Sequence, residues 1–394
     1  MVTQFGTGTG VGADGAAAAR AAVEQAADGL GDRDPEFAVV FASSVYDYQA
    51  VVETVREATG EATLIGASSA GEFTEDGAAS ESVTVSLIAS DEMRFHVGIG
   101  EGVTDDIEGA VERAAAEFPK RDDAYPHRVG INLHDGLVGR GEEIAMLAYQ
   151  AVPMGYAGGS AADDRNLEET VVFADDHTTA DAVALAMIES KRPFAQSVDH
   201  GHEAVAGGFE VTAADGSVVE ELDGRPAYEV WAEAVDEQID IDVGTVTPDD
   251  GTFGELLTRF EFGIKTGDDE YKVRWPGLTP TTDGPLHFAT KVAEGTELFL
   301  MDSDIEAQMT TAGSVTDDAV ADGGEQFDPA GALAFDCICQ GNILGDRFGD
   351  AVDRMAAELG APLAGMQTYG EIGMKEGDMR AYHNTTSSLL VFPE

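Results

Sequence analysis

The chain carries the same glycine turn near its beginning and near its end. Residues 66–73 read GASSAGEF, and residues 365–372 read GMQTYGEI. In both, a hydroxyl residue stands three positions after the first glycine, and a Gly-Glu pair follows it. Both turns also come after an apolar strand pattern and an amphipathic helix pattern. This recurrence predicts a duplicated structural unit.

Each copy of the unit predicts a strand, a helix, a second strand, the glycine turn and a later strand. The first copy has these elements at 37–42, 47–59, 63–66 and 82–88, and the C-terminal copy has them at 332–337, 347–359, 362–365 and 381–392. A middle copy is indicated, with a strand at 128–133, a helix at 142–150, the glycine turn at 153–160 and a late strand at 181–187. Its turn lacks the Gly-Glu pair, so we expect no acid there. Alternating strands and helices are typical of the α/β class, here with mixed sheets.

The segment between the second and third copies has a different pattern. Residues 209–221 predict a hairpin about 214–216, because Asp-Gly supplies the positive φ angles of a tight turn. A helix is predicted at 225–234, followed by strands at 271–275, 286–292 and 297–301. We expect an antiparallel insertion. A chain of 394 residues exceeds the usual size of one core, so we predict two lobes, 1–200 and 201–394.

The composition is strongly acidic, with 75 Asp and Glu against 22 Lys and Arg and a net charge of −53. At about 1 M salt the Debye length falls to roughly 3 Å, which would screen this self-repulsion. The charge therefore favours a halophile, such as a haloarchaeon, and argues against nucleic-acid binding. We find no membrane span or signal peptide pattern and expect a cytoplasmic protein. Cys337 and Cys339 stand two apart on a predicted strand, so we expect opposite orientations and no disulfide.

Several of these motifs together resemble one known family. Residues 332–337 (ALAFDC), 365–372 and 382–385 (YHNT) resemble the C-terminal half of the FIST family, named for F-box and intracellular signal transduction proteins. Residues 37–43, 64–72 and the strand from Ser82 look like its N-terminal half, and Arg274 in YKVR and residues 292–295 (VAEG) match further C-terminal motifs.

The resemblance implies an intracellular sensory domain that binds small molecules, such as amino acids, and is often joined to signalling outputs. We expect any signalling partner of this chain to act in trans. One position departs from the family pattern. Where members often carry arginine shortly after the Phe-Asp-Cys strand, this chain has Gln340, which puts the identity of an anionic ligand group in doubt.

The two turn carboxylates, Glu72 and Glu371, are the first candidates for ligand binding. Each follows a glycine turn at the end of a strand, where loops of α/β proteins commonly present ligand-binding groups, and each could hold a ligand ammonium. The alternative is that each accepts backbone N–H bonds within its own turn. Arg274 could clamp a ligand carboxylate or form an ordinary surface ion pair. Tyr369, His383 and Asn384 add polar groups near the C-terminal turn.

Other motifs that could indicate catalysis or cofactor binding have simpler structural explanations. Residues 10–15 fit G-x-G-x-x-G, but Asp14 as a helix N-cap explains them without a nucleotide. Cys337 with His383 and Asp336 could form a thiol nucleophile, although strand cysteines are usually buried in the core. His200 and His202 with Glu203 lack further metal ligands. We expect a ligand-binding sensor without metal or cofactor. The alternatives are a hydrolase or transferase using Cys337, or an interaction scaffold.

Overall fold

Three copies of one eight-element unit make up most of the structure, a computed structural model that describes residues 3–60, 62–249, 251–377 and 381–394. Each unit runs strand, helix, strand, helix and then four strands. The first unit consists of β1 (Thr3–Gly10), α1 (Gly15–Asp28), β2 (Phe37–Ser43), α2 (Tyr48–Thr59), β3 (Thr63–Ser69), β4 (Glu72–Thr74), β5 (Gly77–Ala79) and β6 (Val83–Ser90). The second consists of β7 (Met93–Glu101), α3 (Ile107–Ala115), β8 (His127–His134), α4 (Gly141–Ala151), β9 (Gly155–Ser160), β10 (Val172–Ala174), β11 (His177–Thr179) and β12 (Ala182–Ser190).

The third unit is interrupted after its first strand, β13 (Ala195–Asp199), by an insertion. The insertion contains β14 (Glu203–Asp215), β15 (Val218–Leu222), β16 (Arg225–Pro226), α5 (Ala227–Asp236), α6 (Gly251–Arg259), β17 (Phe260–Lys265), β18 (Tyr271–Arg274), β19 (Leu286–His287) and β20 (Glu297–Asp302). The unit then resumes with α7 (Ile305–Asp322), β21 (Pro329–Cys337), the additional helix α8 (Ile338–Leu344), α9 (Phe348–Leu359), β22 (Leu363–Thr368), β23 (Glu371–Met374), β24 (Tyr382–His383) and β25 (Ser387–Pro393).

Local sequence explains where the repeated helices begin and end. The Asp14 side chain accepts a hydrogen bond from the Ala17 N–H and caps α1, and Asp47 caps α2 in the same way through Ala50. Gly60 follows α2 with a φ of 69°, a conformation that favours glycine. The N-cap interpretation of Asp14 is therefore confirmed.

Each unit forms a mixed sheet. Its two central strands are parallel, as in β2 with β3, β8 with β9 and β21 with β22. The first strand of each unit pairs antiparallel with its last strand, as in β1 with β6, β7 with β12 and β13 with β25. Parallel strands joined through a helix are the βαβ arrangement.

The hairpin of each unit completes the sheet of another unit. The hairpin β4–β5 of the first unit pairs with β22 of the third, β10–β11 of the second pairs with β3 of the first, and β23–β24 of the third pairs with β9 of the second. The exchange is therefore cyclic. The central apolar core contains residues of all three units, including Phe41, Leu133 and Phe335.

The insertion has its own antiparallel sheet, in the order β16-β15-β14-β20-β17-β18 with β19 on β15. It also has its own apolar core, in which Trp231 is fully buried and donates its indole N–H to the Phe260 carbonyl at 2.9 Å. The predicted hairpin about 214–216, the helix after Arg225 and the antiparallel insertion are confirmed.

The α/β class is confirmed, and two details differ from expectation. The sequence patterns missed the first strand of each unit, the helices α3 and α7 and the exchanged hairpins, whereas the helix after Asp14 was expected. The expected orientation of the cysteines is also wrong, because β21 ends at Cys337 and α8 begins at Ile338, so both thiols lie in one buried cluster. The division near residue 200 stays a prediction, although β13 and β25, from either side of it, pair in one sheet. Within the described ranges, no helix is long and apolar enough to cross a membrane.

Candidate ligand site

The three units place equivalent residues at the carboxyl ends of their central strands. In parallel register, Ser43 faces Ser69, His134 faces Ser160 and Cys337 faces Thr368. An acid stands three residues after each second member of these pairs: Glu72, Asp163 and Glu371. All three acids are buried. The expectation that the middle turn carries no acid is therefore wrong, because Asp163 occupies the position without a preceding glycine.

The hydroxyl residue of the repeated turn bonds to the turn carboxylate. Thr368 Oγ1 donates to Glu371 Oε1 at 2.5 Å, and Ser69 Oγ donates to Glu72. In the middle turn, the Asp163 carboxylate instead accepts the backbone N–H groups of residues 167–169. In all three turns, the carboxylate three residues after the hydroxyl residue therefore accepts hydrogen bonds, although the donors differ.

Glycine at position 370 has a steric reason. Its φ is 157°, and a Cβ there would overlap with the Tyr382 hydroxyl. That hydroxyl forms a 2.8 Å hydrogen bond with Ser160 Oγ. The close approach of β24 to the turn therefore requires glycine, which explains half of the Gly-Glu pair.

Glu371 lies in a fully buried acidic environment. Its Oε2 accepts the Thr386 N–H at 3.2 Å. Burial raises the pKa of Glu371 well above its usual range, and neighbouring Cys337 and Asp336 act in the same direction against the hydrogen bond from Thr368. Burial therefore favours the protonated form of Glu371 relative to an exposed glutamate.

The insertion adds a second buried acid beside it. Glu261 on β17 accepts a hydrogen bond from Thr385 Oγ1 at 2.6 Å. Burial raises the pKa of Glu261 well above its usual range, and the negative charge of Glu371 adds to the effect. Burial likewise raises the pKa of the Cys337 thiol. The junction between the insertion and the third unit therefore concentrates acidic groups whose pKa values are raised by burial.

Arg274 joins this junction to the second unit. Its side chain is only 2% exposed, and its Nη2 lies 3.0 Å from Glu142 Oε2 on α4. Lys272 Nζ lies 2.6 Å from the other oxygen of Glu142. Arg274 Nη1 also donates to the Tyr382 carbonyl at 3.4 Å. Arg274 is thus buried and links the insertion to α4 and β24. Its ion pair is not an ordinary surface ion pair.

Four buried polar atoms at this junction have no hydrogen-bonding partner among the described residues. They are Glu261 Oε2, Arg274 Nε, Trp275 Nε1 and Asn384 Oδ1. The guanidinium and indole nitrogens are donors, whereas the carboxyl and amide oxygens are acceptors. Leaving such a group unpaired typically costs about 1–3 kcal/mol, so a site that offers both kinds is suited to a small polar molecule.

Two domain families match successive parts of the chain. The FIST N domain matches residues 36–225, and the FIST C domain matches residues 227–374. The chain belongs to the FIST family. An uncharacterized protein of Methanocaldococcus jannaschii is 26% identical to this FIST protein over 262 residues, which are 62% of this chain and 49% of the relative. The chain spans about half the length of the curated relative it matches.

Two solved structures resemble this FIST protein at low similarity. One is described as "Cyanuric acid hydrolase: evolutionary innovation by structural concatenation", with a TM-score of 0.35 and 10% identity over the whole of both chains. The other is a cyanuric acid hydrolase from A. caulinodans, with a TM-score of 0.31 and 10% identity over 100% of this chain and 99% of that one.

The FIST fold brings four of the predicted ligand residues together. Glu371 pairs with His383 across β23 and β24. His383 Nε2 lies 3.3 Å from the Gly373 carbonyl, Asn384 follows it in the chain, and Arg274 bonds to the preceding carbonyl of Tyr382. These residues surround one short segment, 382–386.

The other two predicted residues make contacts elsewhere. The Tyr369 hydroxyl donates to Asp163 Oδ1 at 2.5 Å and accepts the Arg165 N–H, so it bonds to the second unit. Glu72 accepts hydrogen bonds from Ser69 and Ser82 in the first unit. The structure does not join either side chain to Glu371 by a hydrogen bond.

Sequence analysis missed Glu142, Glu261 and Trp275. One signal was available for Glu261, because an acid within the apolar strand FEFGIK is unusual. Glu142 lies in the first turn of an ordinary amphipathic helix, and its connection to Arg274 spans 132 positions. No local pattern indicates such a contact.

Gln340 lies where the family resemblance suggests arginine, next to the buried acid Asp336. With its amide nitrogen turned toward its neighbours, Gln340 donates to Ser387 Oγ at 2.9 Å and to Asp336. Burial raises the pKa of Asp336 to about 7. A neutral amide is compatible with an uncharged Asp336, whereas an arginine would favour its ionised form.

Proposed function

We propose that this FIST protein is a cytoplasmic sensor that binds a small polar metabolite, such as an amino acid, where the insertion meets the third unit. Glu371, Arg274, His383 and Asn384 are the proposed ligand contacts. Ligand roles for Tyr369 and Glu72 stay predictions. The protein would pass its signal to a partner acting in trans.

The observation that carries this proposal is the mixed set of partnerless polar atoms. Arg274 Nε and Trp275 Nε1 are suited to a ligand carboxylate, and Glu261 Oε2 and Asn384 Oδ1 to a ligand ammonium. An amino acid carries both groups. Membership of a family proposed to be sensory supports the same conclusion.

The charges around Cys337 argue for binding rather than thiol catalysis. A cysteine nucleophile needs a lowered pKa or an adjacent base. Here burial raises the pKa of Cys337, and the neighbouring Cys339 and Glu261 act in the same direction. No cation neighbours the thiol among the groups that shift its pKa, so a thiolate is disfavoured.

A screen of the amino acids by thermal shift in about 2 M KCl tests the proposal. A ligand at a hundred times its dissociation constant stabilises the folded protein by about 2.7 kcal/mol. We expect Glu371→Gln to remove most of that shift while leaving the ligand-free melting temperature nearly unchanged. Glu57→Gln, which changes an exposed acid on α2, is the control and should retain the shift.

Calorimetry adds a readout that a purely structural residue would not change. Because burial raises the pKa values of Glu371 and Glu261, an ammonium group bound beside them should favour their ionised form and release a proton. The binding enthalpy should then vary with the ionisation enthalpy of the buffer. A Glu371→Gln variant that melts much lower yet binds ligand as wild type does would show that Glu371 is only a turn residue.

A further inference from the structure

The loops that follow β1, β2, β8, β9 and β18 expose large apolar side chains. In the part of the chain that the structure describes, nine such side chains are exposed, and five of them belong to these loops. Their exposed fractions lie between 40% and 65%. We call the five together the loop face: Val11, Val45, Leu137, Leu167 and Leu278. Exposed apolar residues usually occur singly, whereas a contiguous group marks a surface that contacts another molecule.

The loops of the three units meet around Tyr369. Its hydroxyl accepts the Arg165 N–H at 3.0 Å, and a Cβ at Gly136 would lie 3.2 Å from its ring. In the same region, Asn166 Nδ2 donates to Ser44 Oγ at 3.1 Å. Three residues of the loop face stand one or two positions from these contacts: Val45, Leu137 and Leu167.

The remaining two members adjoin the same region. Trp275, three residues before Leu278, packs with Tyr369 against one small cluster at the end of β21. Next to Val11, the Gly12 N–H donates to the hydroxyl of Tyr46, which follows Val45 in the chain. The loop face is therefore one continuous surface.

A strained loop holds Leu167 in solvent at the middle of this surface. The φ angles of Asp164, Arg165 and Leu167 are 52°, 70° and 54°, in the left-handed region that a leucine rarely adopts. Buried Asp163 imposes this conformation, because its carboxylate accepts the backbone N–H groups of residues 167–169. Strained backbone persists only where its surroundings fix it, and it is concentrated at contact sites. The loop therefore presents Leu167 in a preformed position.

The same loop carries both signs of charge. Arg165 and Glu168 are exposed, and neither forms an ion pair within the described residues. The neighbouring loop differs, because Arg140 pairs there with Glu143 at 2.7 Å. In a two-fold interface, each residue meets its counterpart's complement twice, so Arg165 and Glu168 can pair reciprocally between two copies. A partner with a single sign of charge would instead repel one of the two.

We propose that the loop face is a two-fold interface between two copies of this chain. Leu167 of each copy packs on the loop face of the other, and Arg165 of each copy pairs with Glu168 of the partner subunit. At about 1 M salt the Debye length of roughly 3 Å screens the repulsion between two chains of net charge −53. The interface does not depend on ligand binding at Glu371 and goes beyond the sensor proposal.

Sedimentation velocity of the full chain in about 1 M KCl, at protein concentrations from about 1 to 100 μM, is the test. We expect a reversible equilibrium between one copy and two. Leu167→Asp should weaken the dimer at least tenfold, and aspartate tolerates a positive φ, so this variant should fold. Ile241→Asp is the matched control, because Ile241 is an exposed apolar residue of the insertion outside the loop face. It should dimerise as wild type does.

Charge reversal tests the two-fold pairing directly. Arg165→Glu and Glu168→Arg should each weaken the dimer, because each places like charges opposite one another, and the double variant Arg165→Glu/Glu168→Arg should restore it. Circular dichroism checks that every variant is folded. The proposal is overturned if wild type stays a single copy up to the highest concentration, which would leave the face to another protein. It is also overturned if Leu167→Asp dimerises as wild type does, if Ile241→Asp loses as much affinity, or if the double variant is no stronger than the single ones.

Discussion

The buried carboxyl group of Glu72 should make the protein less stable as the pH rises. Glu72 is 1% exposed, and burial raises its pKa from 4.5 to about 7 against the hydrogen bonds from Ser69 and Ser82. A folded-state pKa above the unfolded value means that the folded protein binds the extra proton. The resulting stability is fully present below about pH 4.5 and is lost as the pH rises through 7.

The size of the effect follows from the shift of the pKa. A difference of about 2.5 units corresponds to about 3 kcal/mol, of which about 2.5 kcal/mol is lost between pH 5 and pH 8. Glu72→Gln removes the titration and keeps the side-chain shape. We therefore expect the free energy of unfolding of the variant, relative to wild type, to rise by about 2.5 kcal/mol from pH 5 to pH 8.

Urea unfolding followed by circular dichroism in 2 M KCl, at several pH values, measures this difference. Comparing variant with wild type cancels the titration of the many surface acids. Glu57→Gln on the exposed face of α2 is the control and should show no trend. If the difference between Glu72→Gln and wild type is the same at pH 5 and pH 8, then the pKa of Glu72 is not raised in the fold and the reasoning is refuted.

Three further predictions concern charge, the thiol cluster and the insertion. Dilution from 3 M to 0.1 M KCl should lower the melting midpoint, because the net charge of −53 is no longer screened; an unchanged midpoint by circular dichroism would contradict the halophile argument. Cys337→Ser should lower the melting temperature and leave the ligand-induced shift in place, since the thiol is buried, whereas selective adduct formation at Cys337 by a substrate-like thioester would favour an enzyme. Glu142→Gln should destabilise the protein by about 1–2 kcal/mol, because Arg274 loses a charged partner that is itself partly exposed. An unchanged urea midpoint would show that the contact with Glu142 contributes nothing.

Sequence patterns predicted the elements whose signals are local. The β2, α2 and β3 elements follow from an apolar run, the Asp47 cap and Gly60, all within a few residues of one another. The exchanged hairpins have no such signal. Strand β4 is only three residues long, and its partner β22 lies nearly 300 positions later in the chain. Periodicity cannot identify a strand whose stability comes from a distant edge.

The candidate site also combines residues that have a local sequence signal with residues that have none. Glu371 and His383 are found because they belong to a repeated motif and to the segment that follows it. Glu261 and Glu142 reach the site only through the packing of the insertion on the three units, which no spacing in the sequence reveals. Asp163 was overlooked for another reason. It has no preceding glycine and so does not match the Gly-Glu motif, whereas the structural rule is an acid three residues after the hydroxyl residue.

The cyclic exchange of hairpins also determines the order in which the chain can complete its fold during synthesis. The first unit gains its last strands once β10 and β11 have been made, but the edge of β9 stays open until β23 is made, near the end of the chain. The hairpin β4–β5 likewise waits for β22. An open edge is a template for pairing between chains. A nascent or truncated chain that ends before residue 363 should therefore be prone to aggregation. The final thirty or so residues supply the strands that pair with the open edges.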